Sequence, residues 1–424
     1  MTAAPGTLRE ALRQTADAAP LIVVPDGLFS RARRRSRARR AIVLTVVVLA
    51  ALSLVASPGL ARLPVEPAEP GPQGQAGLPT RLVTAPRWTV DLADAPLASA
   101  VAVYAGRESH ESVFFGDSFP LTVVGPHDEY RVYQRPEWSQ ASFYTPTFLL
   151  SPDGRYVLMA HPTGGTPDDQ GTLLLDLRTG TTRQLAGGVP LAWSPDGTRV
   201  VLATTDFSST ATDTTFHVVT VPDGQIVQTA IMTMRSSTDA ATAALSPDGT
   251  KLAIQVGGVI EVRENGTTLF DTTVDSGWLA GPAAFTPDGN IALLTTTGLL
   301  RFIDGALGEA VTGVSYPVLP AQPIDEPPTA HLVGWQDGVP VVVTDSGVVA
   351  LSRPTRALLT AAPGTGELQI AADALSRPAR VPGRPDPGPF ALRYHTLLVV
   401  GVVAVTLLAL ASVGFRWIRR RSLR

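Results

Sequence analysis

Residues 148–160 read FLLSPDGRYVLMA: an apolar run, a turn signal and a second apolar run. Proline presets the first corner of a β-turn, and Asp-Gly supplies a pair that accepts a positive φ angle. The chain therefore reverses here between two strands. The same S/T-P-D-G tetrapeptide stands at Ser151-Pro-Asp-Gly154, Ser194-Pro-Asp-Gly197, Ser246-Pro-Asp-Gly249 and Thr286-Pro-Asp-Gly289, with starts 43, 52 and 40 residues apart. Gly334-Trp-Gln-Asp-Gly338 sits one further period on, as a degenerate copy.

The surroundings repeat with the turn. FLL, LAW, AAL, AAF and LVGW precede it, and RYVLMA, TRVVLAT, TKLAIQV, NIALLTT and PVVVTD follow it. A third run comes next (TLLLDL, FHVVTV, VIEVRE, LLRFID, GVVALS), and often a fourth, as in TRQLA and QIVQTA. Four strands at a period of about 40–50 residues match one blade of a β-propeller. Blade strands are covered on both faces by neighbouring blades, so unbroken Val/Leu/Ile runs are expected. The stretch 97–135 (LASAVAVYAG, SVFFG, PLTVVG, EYRVYQ) reads as a further blade without the motif, and GELQIAADAL (366–375) as a strand completing the first or last sheet. The expected fold is all-β: a propeller of six four-stranded blades, seven being the alternative count, flanked by two transmembrane α-helices. Over about residues 140–360 the repeat resembles the WD-repeat-like and TolB-like β-propeller families, in which such a turn follows the first strand of each blade. No blade ends in the Trp-Asp pair of strict WD repeats.

Charge is distributed unevenly. The 424 residues carry a formal net charge of −3, yet seven arginines fall within 31–40 and five within 416–424, which leaves the middle acidic. Lys251 is the one lysine, and Ala, Gly and Pro abound, as in proteins from bacterial genomes rich in G and C. The absence of cysteine excludes disulfides, thiolate metal sites and cysteine nucleophiles. A domain this long can bury enough surface to do without them.

Residues 41–57 (AIVLTVVVLAALSLVAS) and 397–415 (LLVVGVVAVTLLALASVGF) are uncharged apolar runs. The first spans about 26 Å as a helix, near the lower limit for a bilayer. Basic residues remain on the cytoplasmic side, so both arginine clusters are expected inside and the propeller outside. The expected organisation is a cytoplasmic tail (1–40), a transmembrane helix (41–57), a Pro/Gly linker (58–86), the extracytoplasmic propeller (87–375), a second linker (376–396), a second transmembrane helix (397–415) and an Arg-rich cytoplasmic tail (416–424). An alternative for the first run is a cleaved export signal. Arg39-Arg40 precedes it and Gly59-Leu60-Ala61 offers a small-x-small site. The forty preceding residues and Pro58 speak against cleavage.

In the tail, Thr7-Leu-Arg-Glu10 fits a capping box before a helix over about 8–18, with Leu8, Ala11, Leu12 and Thr15 on one face. LIVVPDGLF (21–29) is too apolar for an inert spacer. The series Leu8-Arg-Glu-Ala-Leu-Arg13, Ala16-Asp17 and the arginine cluster resembles actinobacterial membrane proteins encoded near extracytoplasmic-function sigma factors. That resemblance implies signalling through a tail that contacts a cytoplasmic regulator. The zinc-binding anti-sigma type is not matched, since it needs cysteine.

The chemistry-bearing residues form no catalytic pattern. Asp153, Asp196, Asp248 and Asp288 are turn residues that blade symmetry spreads around a ring, so no metal site is expected of them. His110, His127, His161, His217, His331 and His395 form no metal or catalytic motif. G-x-S-x-G, P-loop and dinucleotide fingerprints are absent. Asn265-Gly-Thr267 fits a glycosylation sequon but reads as a hairpin turn. The arginine clusters abut the apolar runs, so anionic headgroups explain them better than nucleic acid. The aromatics outside the strand pattern, Tyr130, Tyr133, Trp138, Phe143, Tyr144 and Trp278, are candidates for recognition at a propeller mouth or for packing at blade edges. No catalytic, cofactor or metal residue is assigned. The expected function is a non-enzymatic binding, sensing or scaffold module. Its expected partners are the lipid bilayer, a protein at the propeller face and a regulator at the tail. The competing expectation is a cell-envelope enzyme, a glycan hydrolase or lyase, with two carboxylates converging in the channel.

Overall fold

The computed structural model of the chain describes residues 77–85, 89–106, 121–133, 148–161, 171–206, 212–234, 241–274, 277–318 and 330–386, with Glu10 and Arg13. The chain divides into two units, 64–394 and a second of 1–63 with 395–424. In the second unit only Glu10 and Arg13 are described, both helical and exposed. Both apolar runs and both arginine clusters lie outside the described residues. Among the described residues no helix is long and apolar enough to cross a membrane.

The described residues of the unit 64–394 form β-strands and one short 3-10 helix, Ala372–Ser376. β1 (Ala102–Gly106), β2 (Leu121–Val124) and β3 (Tyr130–Tyr133) come first. Blade 1 follows with β4 (Phe148–Leu150), β5 (Tyr156–His161), β6 (Gly171–Asp176) and β7 (Thr181–Gly187). Blade 2 holds β8 (Val189–Trp193), β9 (Arg199–Asp206), β10 (Thr212–Thr220) and β11 (Ile226–Met234). Blade 3 holds β12 (Ala241–Leu245), β13 (Lys251–Val256), β14 (Val259–Glu264) and β15 (Thr267–Thr273). Blade 4 holds β16 (Gly277–Leu279), β17 (Ile291–Thr295), β18 (Leu299–Ile303) and β19 (Ala310–Pro317). Blade 5 holds β20 (His331–Gln336), β21 (Val339–Thr344), β22 (Gly347–Ala350) and β23 (Arg356–Thr360). β24 (Thr365–Ile370) then pairs with β1 from the other end of the chain, giving a closing blade of order β24-β1-β2-β3. Six four-stranded antiparallel meanders result.

Packing closes the sheets into a ring. Separate apolar clusters join blade 1 to 2 (Leu158 with Leu202), 2 to 3 (Phe216 with Leu252), 3 to 4 (Val262 with Leu293) and 4 to 5 (Leu300 with Val342). The largest joins blade 5, the closing blade and blade 1, through Val341, Val103 and Val157. Each sheet is thus covered by a neighbour on each face, the arrangement of a β-propeller.

The repeated turn explains itself locally. Ser246 N–H donates to Lys251 O at 2.9 Å, and Gly249 N–H closes the turn on Ser246 O at 2.8 Å. Ser246 Oγ donates to Asp248 Oδ1 (2.5 Å) and accepts from Lys251 N–H (2.8 Å), while Thr250 N–H donates to Asp248 (3.1 Å). Ser151 and Ser194 repeat this circuit with Asp153 and Asp196. The four motif glycines take φ of 68–86°, where any Cβ is strained. In blade 5 the turn shrinks to Asp337-Gly338, both at positive φ, a two-residue hairpin. Asn265-Gly266 makes the same hairpin between β14 and β15.

Parts of both stretches read as linkers pack onto the propeller. Leu78 and Leu82 are buried in the largest cluster. Thr80 N–H donates to Arg380 O (2.9 Å) and Arg380 N–H to Leu78 O (3.0 Å), a parallel ribbon between the segments that precede β1 and follow β24. Arg380 Nη1 pairs with Asp128 Oδ2 at 2.6 Å, and Gly383 N–H donates to the same oxygen. The stretch 97–135 contributes three described strands to its blade, and SVFFG lies outside the described residues.

Candidate functional site

The turns between the first and second strands of each blade, and those between the third and fourth, share one rim of an antiparallel meander. At blade 5 these two connections enclose a cleft of about 470 Å³. Gln336 and Asp337 line it from the β20–β21 hairpin; Ser352, Arg353, Pro354, Thr355 and Arg356 line it from the β22–β23 connection. Val339 and Ala350 complete the lining. Hydrogen bonds hold the polar walls. Gln336 Nε2 donates to Leu375 O (2.7 Å), and Gln336 Oε1 accepts from Arg356 Nη2 (2.6 Å). Ser352 Oγ donates to Pro354 O at 2.7 Å and stiffens the connection. Two exposed guanidiniums thus stand over a small apolar floor, against the one carboxylate of Asp337. Such a site suits a carboxylate with an apolar stem, because guanidinium presents paired donors to carboxylate oxygens.

Several polar side chains between blades are engaged by the fold. Gln255 is wholly buried; its Nε2 donates to Gly257 O and Gly277 O, and its Oε1 accepts from Leu279 N–H. Trp335 Nε1 donates across to Ala283 O and Phe285 O. Gln369 Nε2 meets His331 Nε2 at 3.3 Å, fastening the closing blade to blade 5. These groups lock blades together rather than await a ligand.

Three of the four aspartates of the repeat, Asp153, Asp196 and Asp248, are spoken for by their turns. The Ser246 hydroxyl, with the Thr250 N–H, holds the Asp248 carboxyl below the usual range. Burial opposes the charge of Asp196, but bonds from Ser194 and Thr198 outweigh it and lower that carboxyl too. Asp373 is the group pushed the other way, by burial first and then by the charge of Asp153. Asp153 is already bound to Ser151 Oγ and Arg155 N–H, so the two do not form a pair of uncommitted carboxylates. Among the described residues no group of three or more His, Cys, Asp or Glu could hold a metal ion.

Of the aromatics read as candidates for recognition or for packing, Tyr130 and Tyr133 pack. Tyr130 and Tyr133 lie in β3 and are buried, each 1% exposed. This corrects their reading as residues outside the strand pattern. The reason is a cover over β3: Leu92 N–H donates to Val132 O, Val132 N–H to Val90 O and Tyr130 N–H to Asp386 O. The Tyr130 hydroxyl accepts from Val83 N–H (3.1 Å). Trp278 is half-buried in the innermost strand of blade 4. Trp138, Phe143 and Tyr144 lie outside the described residues, as do His110 and His395. Sequence reading missed the blade 5 cleft, although its signal, Arg-Pro-Thr-Arg (353–356) after the degenerate turn copy, is visible in the chain.

Fold and site together define a closed six-bladed β-propeller with a guanidinium-walled cleft on one rim. Among solved structures the chain is similar to the β-propeller domain of the Trilobed protease from Pyrococcus furiosus, at 11% identity and TM-score 0.38, over 64% of this chain and 84% of that one. It is also similar to TolB from Acinetobacter baumannii (14%, TM-score 0.35, covering 66% and 63%) and to BamB from Moraxella catarrhalis (16%, TM-score 0.32, covering 61% and 68%). No family model matches the chain, and no curated protein matches it either.

Proposed function

We propose that this chain is a membrane-tethered β-propeller that stands outside the cytoplasm and binds, without catalysis, a carboxylate-bearing segment of a protein partner at the rim of blade 5. The observation that carries the binding reading is the cleft with Arg353 and Arg356 over Val339 and Ala350. The tether is the pair of apolar runs, 41–57 and 397–415, with arginines at their cytoplasmic borders. In support of two anchors in one membrane, the ends of the propeller are fastened side by side through Thr80 and Arg380. The N-terminal tail then carries the signal or the scaffold contact to a cytoplasmic regulator. The non-enzymatic reading is supported by the commitment of Asp153, Asp196 and Asp248 to turn hydrogen bonds.

The test uses the full chain in its membrane. A photo-crosslinking side chain at Thr355 should trap one partner, and Arg353→Ala with Arg356→Ala should weaken that partner's binding by roughly tenfold or more. Equal capture with and without the arginines would refute the site. Because the chain has no cysteine, topology can be read with single introduced ones. Ser422→Cys should resist an impermeant maleimide in intact cells, and Asp223→Cys should react. Labelling of Ser422→Cys from outside would overturn the tether.

A further inference from the structure

The two segments that flank the ring are held in different ways. The arm before β1 is bound into the core. Leu78, Leu82, Leu92 and Leu97 are all buried in the largest apolar cluster. Both backbone groups of Val83 meet buried tyrosines: its N–H donates to the Tyr130 hydroxyl (3.1 Å), and its carbonyl accepts from the Tyr104 hydroxyl (3.3 Å). Leu82 N–H reaches Thr360 O (2.8 Å), Leu92 N–H reaches Val132 O (2.8 Å) and Leu97 N–H reaches Leu177 O (2.9 Å). The arm is thereby fixed to blade 5, the closing blade and blade 1.

The strap that follows the 3-10 helix is fixed differently. No residue from Arg377 to Asp386 is buried, and Val381 is 85% exposed. Its described contacts are polar. At one end Arg380 makes the ribbon with Leu78 and Thr80. At the other, Tyr130 N–H donates to Asp386 O (2.7 Å), Asp386 N–H to Asp128 O (2.8 Å) and Arg131 Nη1 to Asp386 O (3.2 Å). Between them stands Arg380 Nη1 on Asp128 Oδ2, which also accepts from Gly383 N–H. This pair is incompletely satisfied. Asp128 Oδ1, Arg380 Nε and Arg380 Nη2 are hidden from water and have no hydrogen-bond partner among the described residues. Lifting the strap hydrates all three and exchanges its backbone bonds for bonds to water. Because the strap sinks no side chain into the core, lifting it forfeits little hydrophobic contact. The helix before it has a firmer seat, with Ala374 and Leu375 buried and Leu375 O held by Gln336.

We propose that residues 378–386 form a latch, a strap that lifts as a unit while the ring and the arm before β1 stay closed, with Asp128 and Arg380 as its catch. Segments that bury little open at free energies well below that of global unfolding. The lifted state uncovers the Tyr130 N–H and the Asp128 carbonyl on the outer edge of β3. It also frees the chain beyond Asp386, which runs on to the apolar stretch 397–415, from its place beside Thr80. A ligand that prefers either state shifts the balance towards it. The latch lies within the propeller unit and depends neither on the tether nor on the blade 5 cleft.

Trypsin reads the latch in the unaltered full chain in detergent. Within the strap, the bonds after Arg377 and Arg384 precede proline and resist the protease, so Arg380–Val381 is the reporter. Arg81–Leu82 reports on the arm, and Arg199–Val200 and Arg301–Phe302 report on the ring. A new chain end at Arg380 should form roughly tenfold faster than any of the other three cuts, since cleavage follows the population of the open form. Asp128→Asn should speed the Arg380 cut a further tenfold or so relative to the Arg81 cut. Cuts at Arg380 and Arg81 that keep pace in the unaltered chain would overturn the latch, and so would a ratio that Asp128→Asn leaves unchanged. Should the variant fail to accumulate, hydrogen exchange of the unaltered chain decides. Faster exchange at the Arg380, Gly383 and Asp386 amides than at those of Leu82 and Leu92 supports the latch, and equal protection overturns it.

Discussion

The hydroxyl of Ser246 serves both sides of its turn, as donor to Asp248 and acceptor for the Lys251 N–H. It is buried, so its removal strands an amide and deprives a carboxylate of its shortest bond. Ser246→Ala should therefore lower the stability of the full chain by about 1–3 kcal/mol. Blade 4 supplies the control. There Asn290 N–H donates to Thr286 Oγ1 across a connection one residue shorter, and no bond joins Thr286 to Asp288. Asp288→Ala should accordingly stay within about 0.5 kcal/mol of the parent. Urea unfolding of the chain in detergent would show the difference, and equal losses at both positions would contradict this account of the turn. These turns were legible in the sequence because their chemistry is complete within six residues, Ser246 to Lys251.

At the scale of elements, order came from contacts between segments far apart in the chain. The runs around Leu78 and Arg380 are rich in Pro and Gly and have no period, so nothing local marks them as structured. They are held by each other and by Asp128, and Tyr130 and Tyr133 vanish from the surface for the same reason. The closing strand was visible, as GELQIAADAL, because an apolar run survives in it. The clamp is also a source of pH dependence. Burial raises the Asp128 carboxyl, but the Arg380 and Gly383 bonds and the Arg380 charge outweigh it and leave the group below its usual value. A depressed carboxyl contributes stability above its unfolded range and loses it as pH falls through the folded value. Asp128→Asn keeps a residue that tolerates the φ of 64° and removes the charge. It should cost about 1–3 kcal/mol at neutral pH, allowing for the partial exposure of Arg380, and should flatten the acid limb of the stability curve. An unchanged acid limb in the variant would mean that the ion pair contributes little.

For the molecule as a whole, the ring stands on one non-local event. β24 must find β1 across the entire propeller, a closure whose chain entropy costs roughly 5 kcal/mol before any contact offsets it. The gain comes from the β24–β1 ladder, from the cluster that includes Leu368, Val103 and Val341, and from the ribbon of Thr80 with Arg380. Weakening that blade should open every other one, since each blade buries its faces on its neighbours. Leu368 is 2% exposed in β24, and Leu368→Ala should cost about 2–5 kcal/mol. Leu269→Ala, at 39% exposure on the outer strand of blade 3, is the matched deletion outside the closure and should be near neutral. The informative readout is proteolysis at the turns of blades 2 and 3, remote from Leu368. If closure governs the ring, cleavage at Asp196 and Asp248 accelerates in Leu368→Ala together with cleavage near the ends. If only the ends become sensitive, the blades hold one another without the closing strand, and the ring is a stack of independent neighbours rather than a cooperative circle.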